Sequence, residues 1–236
     1  MFDSIATAFQ HGGFWMYPIL ALQVVTIAIM AERVYALYMK RKGQEHIFVK
    51  GFEDNIRRGE LETVIQKASA DQAQHPIAAA VVAGAQAAAT FGGRDEIQGK
   101  MDEVLLHENS QLDKRVGFLS LLANVATLVG LLGTITGMIK SFAAVAFSNP
   151  AEKAALLAAG ISEAMNATAY GLIVAIPALL AYAVFNNRAN HLAEDLNQSA
   201  LKVFNWLSFA FDPVSLRSQT KMNKTKTQSS TPEMNA

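Results

Sequence analysis

"GISEAMNATAYGLIVAIPALLAY" (residues 160–182) is apolar enough for a lipid bilayer, yet it carries Glu163, with Asn166, Thr168 and Tyr170 close behind. It belongs to a longer block, Ala154 to Phe185, in which Glu163 is the one acid. About 20 apolar residues cross a bilayer core, so the block is long enough to span. An ionised acid near mid-bilayer costs at least about 2.5–3.5 kcal/mol. Three arrangements remove that cost. The acid can pair with a cation, it can be protonated because burial disfavours the charged form, or it can face water. The last two together describe a proton-handling site. The plainer alternative is a neutral Glu bonded across a helix interface.

Two further blocks have the same character. Val116 to Phe147 contains one charge, Lys140, and the polar turn "SNPAEK" (148–153) joins it to the block around Glu163, giving a membrane hairpin. Lys140, nearer the outer end, is the only cation the hairpin offers Glu163. Phe14 to Tyr38 is the third block, with Trp15, Tyr17, Tyr35 and Tyr38 at its ends, as aromatic belts require. Glu32 and Arg33 near its C-terminal end can neutralise each other or snorkel. Residues 1–13 hold no Lys or Arg and the block is too long for an h-region, which argues against a cleaved signal peptide.

Positive charge sets the expected orientation. Lys40, Arg41 and Lys42 follow the first span, Lys114 and Arg115 precede the second, and Arg188, Lys202, Arg217, Lys221, Lys224 and Lys226 follow the third. The turn holds only Lys153. The expectation is an all-α integral membrane protein with the N-terminus and the turn outside and the C-terminus in the cytoplasm. Its parts are an outer segment (1–13), a first span (14–39), a cytoplasmic helical domain (40–115), a second span (116–147), an outer turn (148–153), a third span (154–185), a cytoplasmic helix (186–212) and a polar, disordered tail (213–236).

Two spans are expected to extend into the cytoplasmic helical bundle. Arg94 to Arg115, charged and free of proline, should run straight into the second span, and the third should continue to Asp212-Pro213. Between the first two spans, Phe52, Ile56, Leu61, Val64, Ile65 and Ala68 fall on roughly one helical face. "PIAAAVVAGAQAAATF" (76–91) is short for a span and reads as a packed helix ended by Gly92-Gly93.

Small residues recur at steps of three and four along both hairpin helices: Ala123, Ala126, Gly130, Gly133, Gly137 and Ser141 on one, Gly160, Ala164, Ala167, Gly171, Ala175 and Ala178 on the other. Such seams permit close helix packing in lipid. Two seams on a three-span chain imply some packing between subunits, hence a ring. A polar row accompanies the seam: Ser120, Thr127, Thr134 and Ser141 lie seven apart, on one face of the helix. Each hydroxyl either bonds a carbonyl of the preceding turn or lines a path. Counted from the turn, Thr134 and Thr168 reach similar depth, with Glu163 about a turn and a half nearer the outside, level with Gly137. Glu163 and Tyr170 share a face, Thr168 points elsewhere, and Pro177 permits a bend.

Composition excludes several chemistries. The 236 residues include no cysteine, so thiol and disulfide chemistry is absent. The net charge of zero gives no sign of nucleic-acid binding. His11, His46, His75, His107 and His191 lie outside the spans without ligand spacing, and Gly92-Gly93 lacks the lysine of a phosphate loop. No cofactor and no enzymatic activity are expected.

"GLLGTITGMIKSF" (130–142) followed by "GISEAMNATAYGLIVAIPA" (160–178), with "AERVYAL" closing the first span, resembles the MotA/TolQ/ExbB proton-channel family, most of all its ExbB and TolQ branch. The resemblance covers nearly all of the chain except the last 20 or so residues. It implies a homopentameric ring around a dimer of an ExbD/TolR-type single-span protein, with a TonB- or TolA-type periplasm-spanning protein as a further partner. Proton-motive force would then drive work on a periplasmic or outer-membrane load. Matching positions carry over Thr134, Glu163 and Thr168 as proton-pathway residues, with Thr127, Ser141, Asn166 and Tyr170 as weaker pore-lining or packing candidates. Lys140 departs from the Asn or His of that pattern. A rival of another class is a passive membrane scaffold, with Glu163 as a neutral packing residue.

Overall fold

A computed structural model describes residues 13–39, 44–72, 74–90 and 93–211. The N-terminal segment up to residue 12, the Lys40-Arg41-Lys42 cluster, Gly92, Asp212-Pro213 and the polar tail fall outside the described residues. The described residues contain helices and no strand. Among the described residues three helices are long and apolar enough to cross a membrane, and the fold is all-α. The chain divides into two compact units, residues 1–39 with 113–188, and residues 40–112 with 189–236.

In the first unit, α1 (Met16–Val34) ends in a π-helical turn, Tyr35–Met39. It packs on α7 (Val116–Ala146) and on the first part of α8 (Pro150–Phe211). Residues 150–153, read above as part of the turn, are already helical: Pro150 opens α8, and the Asn149 carbonyl accepts from Glu152 and Lys153 N–H. Proline suits a first helical position because its missing N–H would have no partner there. The helix continues through Pro177 as far as Phe211.

The two small-residue seams meet each other. A methyl added to Gly171 would lie 2.8 Å from the Ala126 carbonyl oxygen and 3.2 Å from Gly130 Cα. One at Gly137 would lie 3.1 Å from Ala164 Cα, and one at Gly160 would strike Ser141 Oγ. This corrects the expectation drawn from the seams: their close packing is satisfied within one chain and does not itself require a second subunit. Ile19 of α1 closes the bundle against Ala126 and Val174, and Trp15 covers Gly133. Leu128, Ile135, Ile139 and Phe142 on α7, with Ile173, Ile176 and Leu180 on α8, stay exposed, which suits lipid or further protein.

Arg94 to Arg115 does not run straight into the second span. The helix α6 (Arg94–Asp113) stops, Arg115 takes φ 62°, and α7 starts at Val116. A left-handed non-glycine residue costs about 1–2 kcal/mol, so something must hold it. Within the first unit, buried Arg33 donates to the Lys114 carbonyl at 2.6 Å and pairs with Glu32, which in turn pairs with Arg115. The Glu32-Arg33 pair therefore does more than neutralise itself: it clamps the break. Arg33→Met should lose a charged hydrogen bond, about 1.5–3 kcal/mol. For a chain of this length that is a Tm drop of about 4–8 °C, read by thermal unfolding of the purified protein, with Arg33→Lys recovering part of it.

The second unit is a helical bundle built on α5 (Pro76–Thr90), nine of whose 15 residues are buried. At about 1.5 Å per residue it is too short to span a bilayer, as expected. The apolar face at 52–68 belongs to two helices, α3 (Glu53–Arg57) and α4 (Leu61–Asp71), parted at Gly59 with φ 79°. Phe52, Ile56, Leu61, Val64 and Ala68 nevertheless enter one core with α5 and with Leu196, Val203 and Leu207 of α8. Asp195 anchors α2 (Glu45–Lys50), accepting from the Glu45 N–H at 2.9 Å and lying 3.2 Å from His46. Burial raises the Glu45 carboxyl above its usual value, opposed by His75 at 3.4 Å. No cluster of histidine and acid residues with metal-binding geometry occurs among the described residues.

Candidate functional site in the helical hairpin

The α7–α8 interface brings Thr134 and Thr168 together, their hydroxyl oxygens in direct contact. Thr168 Oγ1 donates to the Gly130 carbonyl at 2.9 Å, and Thr134 Oγ1 lies 3.3 Å from the same carbonyl and 3.4 Å from that of Ala164. A hydroxyl has one hydrogen and two acceptor lone pairs. The pair can therefore pass a hydrogen bond between helices, but in this arrangement its hydrogens also serve backbone carbonyls. The close approach of Gly130 to Thr168, where an added methyl would lie 3.3 Å from Thr168 Cα, is what lets the hydroxyls meet.

Glu163 opens into a cavity of about 640 Å³ lined also by Gly13, Gly137, Lys140, Ser141 and Gly160. Its side chain is 34% exposed, so the carboxylate is not sealed in apolar surroundings. Lys140 Nζ lies 3.9 Å from Glu163 Oε1. Gly13, at φ 69°, leaves room for that carboxylate, which a side chain there would strike. The one cation that the hairpin offers Glu163 is thus within reach. The seam register contains the signal: Gly130 meets Gly171, Gly137 meets Ala164 and Ser141 meets Gly160. On that register Lys140 is level with Ile161, two residues from Glu163.

The other candidates divide. Thr127 donates to the Ala123 carbonyl at 3.1 Å and buried Ser141 to that of Gly137 at 2.8 Å. Both therefore make the local bond that competed with a pathway role. Tyr170 turns to α1 and donates to Gln23 Oε1, a contact that sequence reasoning missed. Asn166 is part-buried on α8.

The model of the MotA/TolQ/ExbB proton channel family matches residues 70–198, more than half of the chain. The chain is 38% identical over 95 residues to the Tol-Pal system protein TolQ of Haemophilus influenzae, covering 40% of this chain and 41% of the relative. It is 33% identical over 94 residues to the biopolymer transport protein ExbB of Pseudomonas putida, covering 40% and 28%. Against an ExbB homolog of Methanothermobacter thermautotrophicus it is 23% identical over 205 residues, covering 87% and 71%. The TolQ and ExbB alignments thus span well under half of those relatives' length. Match, hairpin and charge placement agree: the chain belongs to the MotA/TolQ/ExbB proton channel family, on its ExbB/TolQ branch.

Proposed function

We propose that the chain is the ring subunit of an inner-membrane, proton-driven motor that couples proton-motive force to work on a periplasmic or outer-membrane system. The observation that supports this most is Glu163, an ionisable acid facing a cavity in a membrane hairpin, followed on the same helix by Thr168, whose hydroxyl meets that of Thr134 on α7. In this reading Glu163 takes up and releases the proton, and the two threonines line the pathway. The spans are residues 14–39, 116–147 and 154–185, with the N-terminus and the turn periplasmic and the C-terminus cytoplasmic. Five copies enclose a dimer of an ExbD/TolR-type single-span protein, which passes force to a TonB- or TolA-type partner. The family is one of transport components, in keeping with a protein that is not an enzyme.

The scaffold reading draws support from one observation. Thr127 and Ser141 spend their hydrogens on local carbonyls, as packing residues do. The two readings part in a flux assay. The chain is co-purified with its single-span partner, reconstituted in liposomes and challenged with a pH gradient while internal pH is followed. The motor reading expects partner-dependent flux that falls by about a hundredfold or more in Thr134→Val and Thr168→Val, the low end for loss of a positioned hydrogen-bonding group. Unchanged flux in both variants removes the threonines from the pathway. Absence of flux from every intact complex supports the scaffold.

A further inference from the structure

We propose that Lys140 is a tethered counter-ion that gives the Glu163 site its selectivity for protons, its ammonium filling the place a sodium ion would take. The inference rests on the reading of Glu163 as a proton site. It begins with the oxygens around the cavity. Glu163 contributes a carboxylate, and Ser162 and Ser141 contribute hydroxyls. Ser141 gives its hydrogen to the Gly137 carbonyl at 2.8 Å, so what it can offer the cavity is lone pairs. Its oxygen faces α8 at Gly160, where a methyl would collide with it. A carboxylate with neutral oxygens is the donor set of a hard cation. At about 640 Å³ the cavity also has room for an ion with water.

Lys140 changes that outcome. Its ammonium stands 3.9 Å from Glu163 Oε1, and these two are the only ionisable side chains lining the cavity among the described residues. Their charges cancel. A sodium ion must displace the ammonium or sit beside a like charge. A proton needs no oxygen cage, because it joins the carboxylate directly. The step balances simply: the carboxylate plus one proton becomes a carboxylic acid, Lys140 stays an ammonium, and the cavity charge rises from zero to plus one. The lysine side chain, 63% exposed on a flexible stem, is free to swing away when its partner is neutralised.

Sodium binding tests this independently of transport. Thermal unfolding of the purified complex is followed in sodium chloride and in choline chloride at equal ionic strength. Wild type and Lys140→Arg should show no difference between the salts. Lys140→Met and Lys140→Gln should gain about 3 °C in sodium, the scale of a bound ligand acting on a chain of this size. Adding Glu163→Gln to either should abolish the gain. Sodium-specific stabilisation of wild type, or none in both neutral variants, overturns the proposal. Failure of the proton reading shows up elsewhere, as Glu163→Gln complexes that conduct like wild type.

Discussion

Glu163→Gln is expected to abolish proton flux while leaving the complex assembled. Glutamine keeps the shape and volume of the side chain and can still donate and accept hydrogen bonds, but it cannot ionise. The cost to the fold should be small. The carboxylate is a third exposed, and its charged partner among the described residues is Lys140 at 3.9 Å. Partly exposed pairs of this kind are worth about 1 kcal/mol or less. Flux should fall by at least about a hundredfold, the lower bound for removing a positioned proton-transfer group. A scaffold in which Glu163 is a neutral packing residue would tolerate the change. Size-exclusion profile, thermal stability and internal pH measured on one preparation separate the two outcomes.

Gly171→Val is expected to break the hairpin seam. The added side chain meets backbone, the Ala126 carbonyl oxygen at 2.8 Å and Gly130 Cα at 3.2 Å, so no side-chain rotation relieves it. The two helices must move apart. Overpacking of this sort costs about 1–3 kcal/mol, and lipid gives no hydrophobic compensation for lost van der Waals contact between helices. The Tm should drop by about 4–10 °C. Flux should fall with it, because the Thr134–Thr168 contact depends on the same close approach. Gly117→Val is the control: it lies on α7, the helix that Gly171 packs against, with nothing among the described residues within 4 Å of an added methyl, and it should be nearly silent.

The parts of the fold written in composition were readable from sequence. Long apolar blocks gave the spanning helices, and the uninterrupted stretch after Phe185 gave the continuation of α8 to Phe211. Depth counting from the turn put Thr134 and Thr168 at one level, where their hydroxyls meet. The parts set by distant residues were not readable. The break at Lys114-Arg115 contains no glycine or proline, and it is held by Glu32 and Arg33 some 80 residues earlier. The seams announced close packing but not their partner, since periodicity marks a face without saying what covers it. Lys140 was legible as the one cation the hairpin offers Glu163, but position along a helix does not show that the two side chains face each other. Gly59 was a visible breaker within the 52–68 face, but the face itself masked the change of helix.

A Glu163 carboxyl that gains and loses a proton within the membrane is directly visible to infrared difference spectroscopy of the reconstituted complex, recorded on stepping between neutral and acidic buffer. A protonated-carboxyl carbonyl band should appear on acidification, shift in heavy water and be missing from Glu163→Gln. The same band at full strength in Glu163→Gln, or no difference between the two proteins, would contradict it.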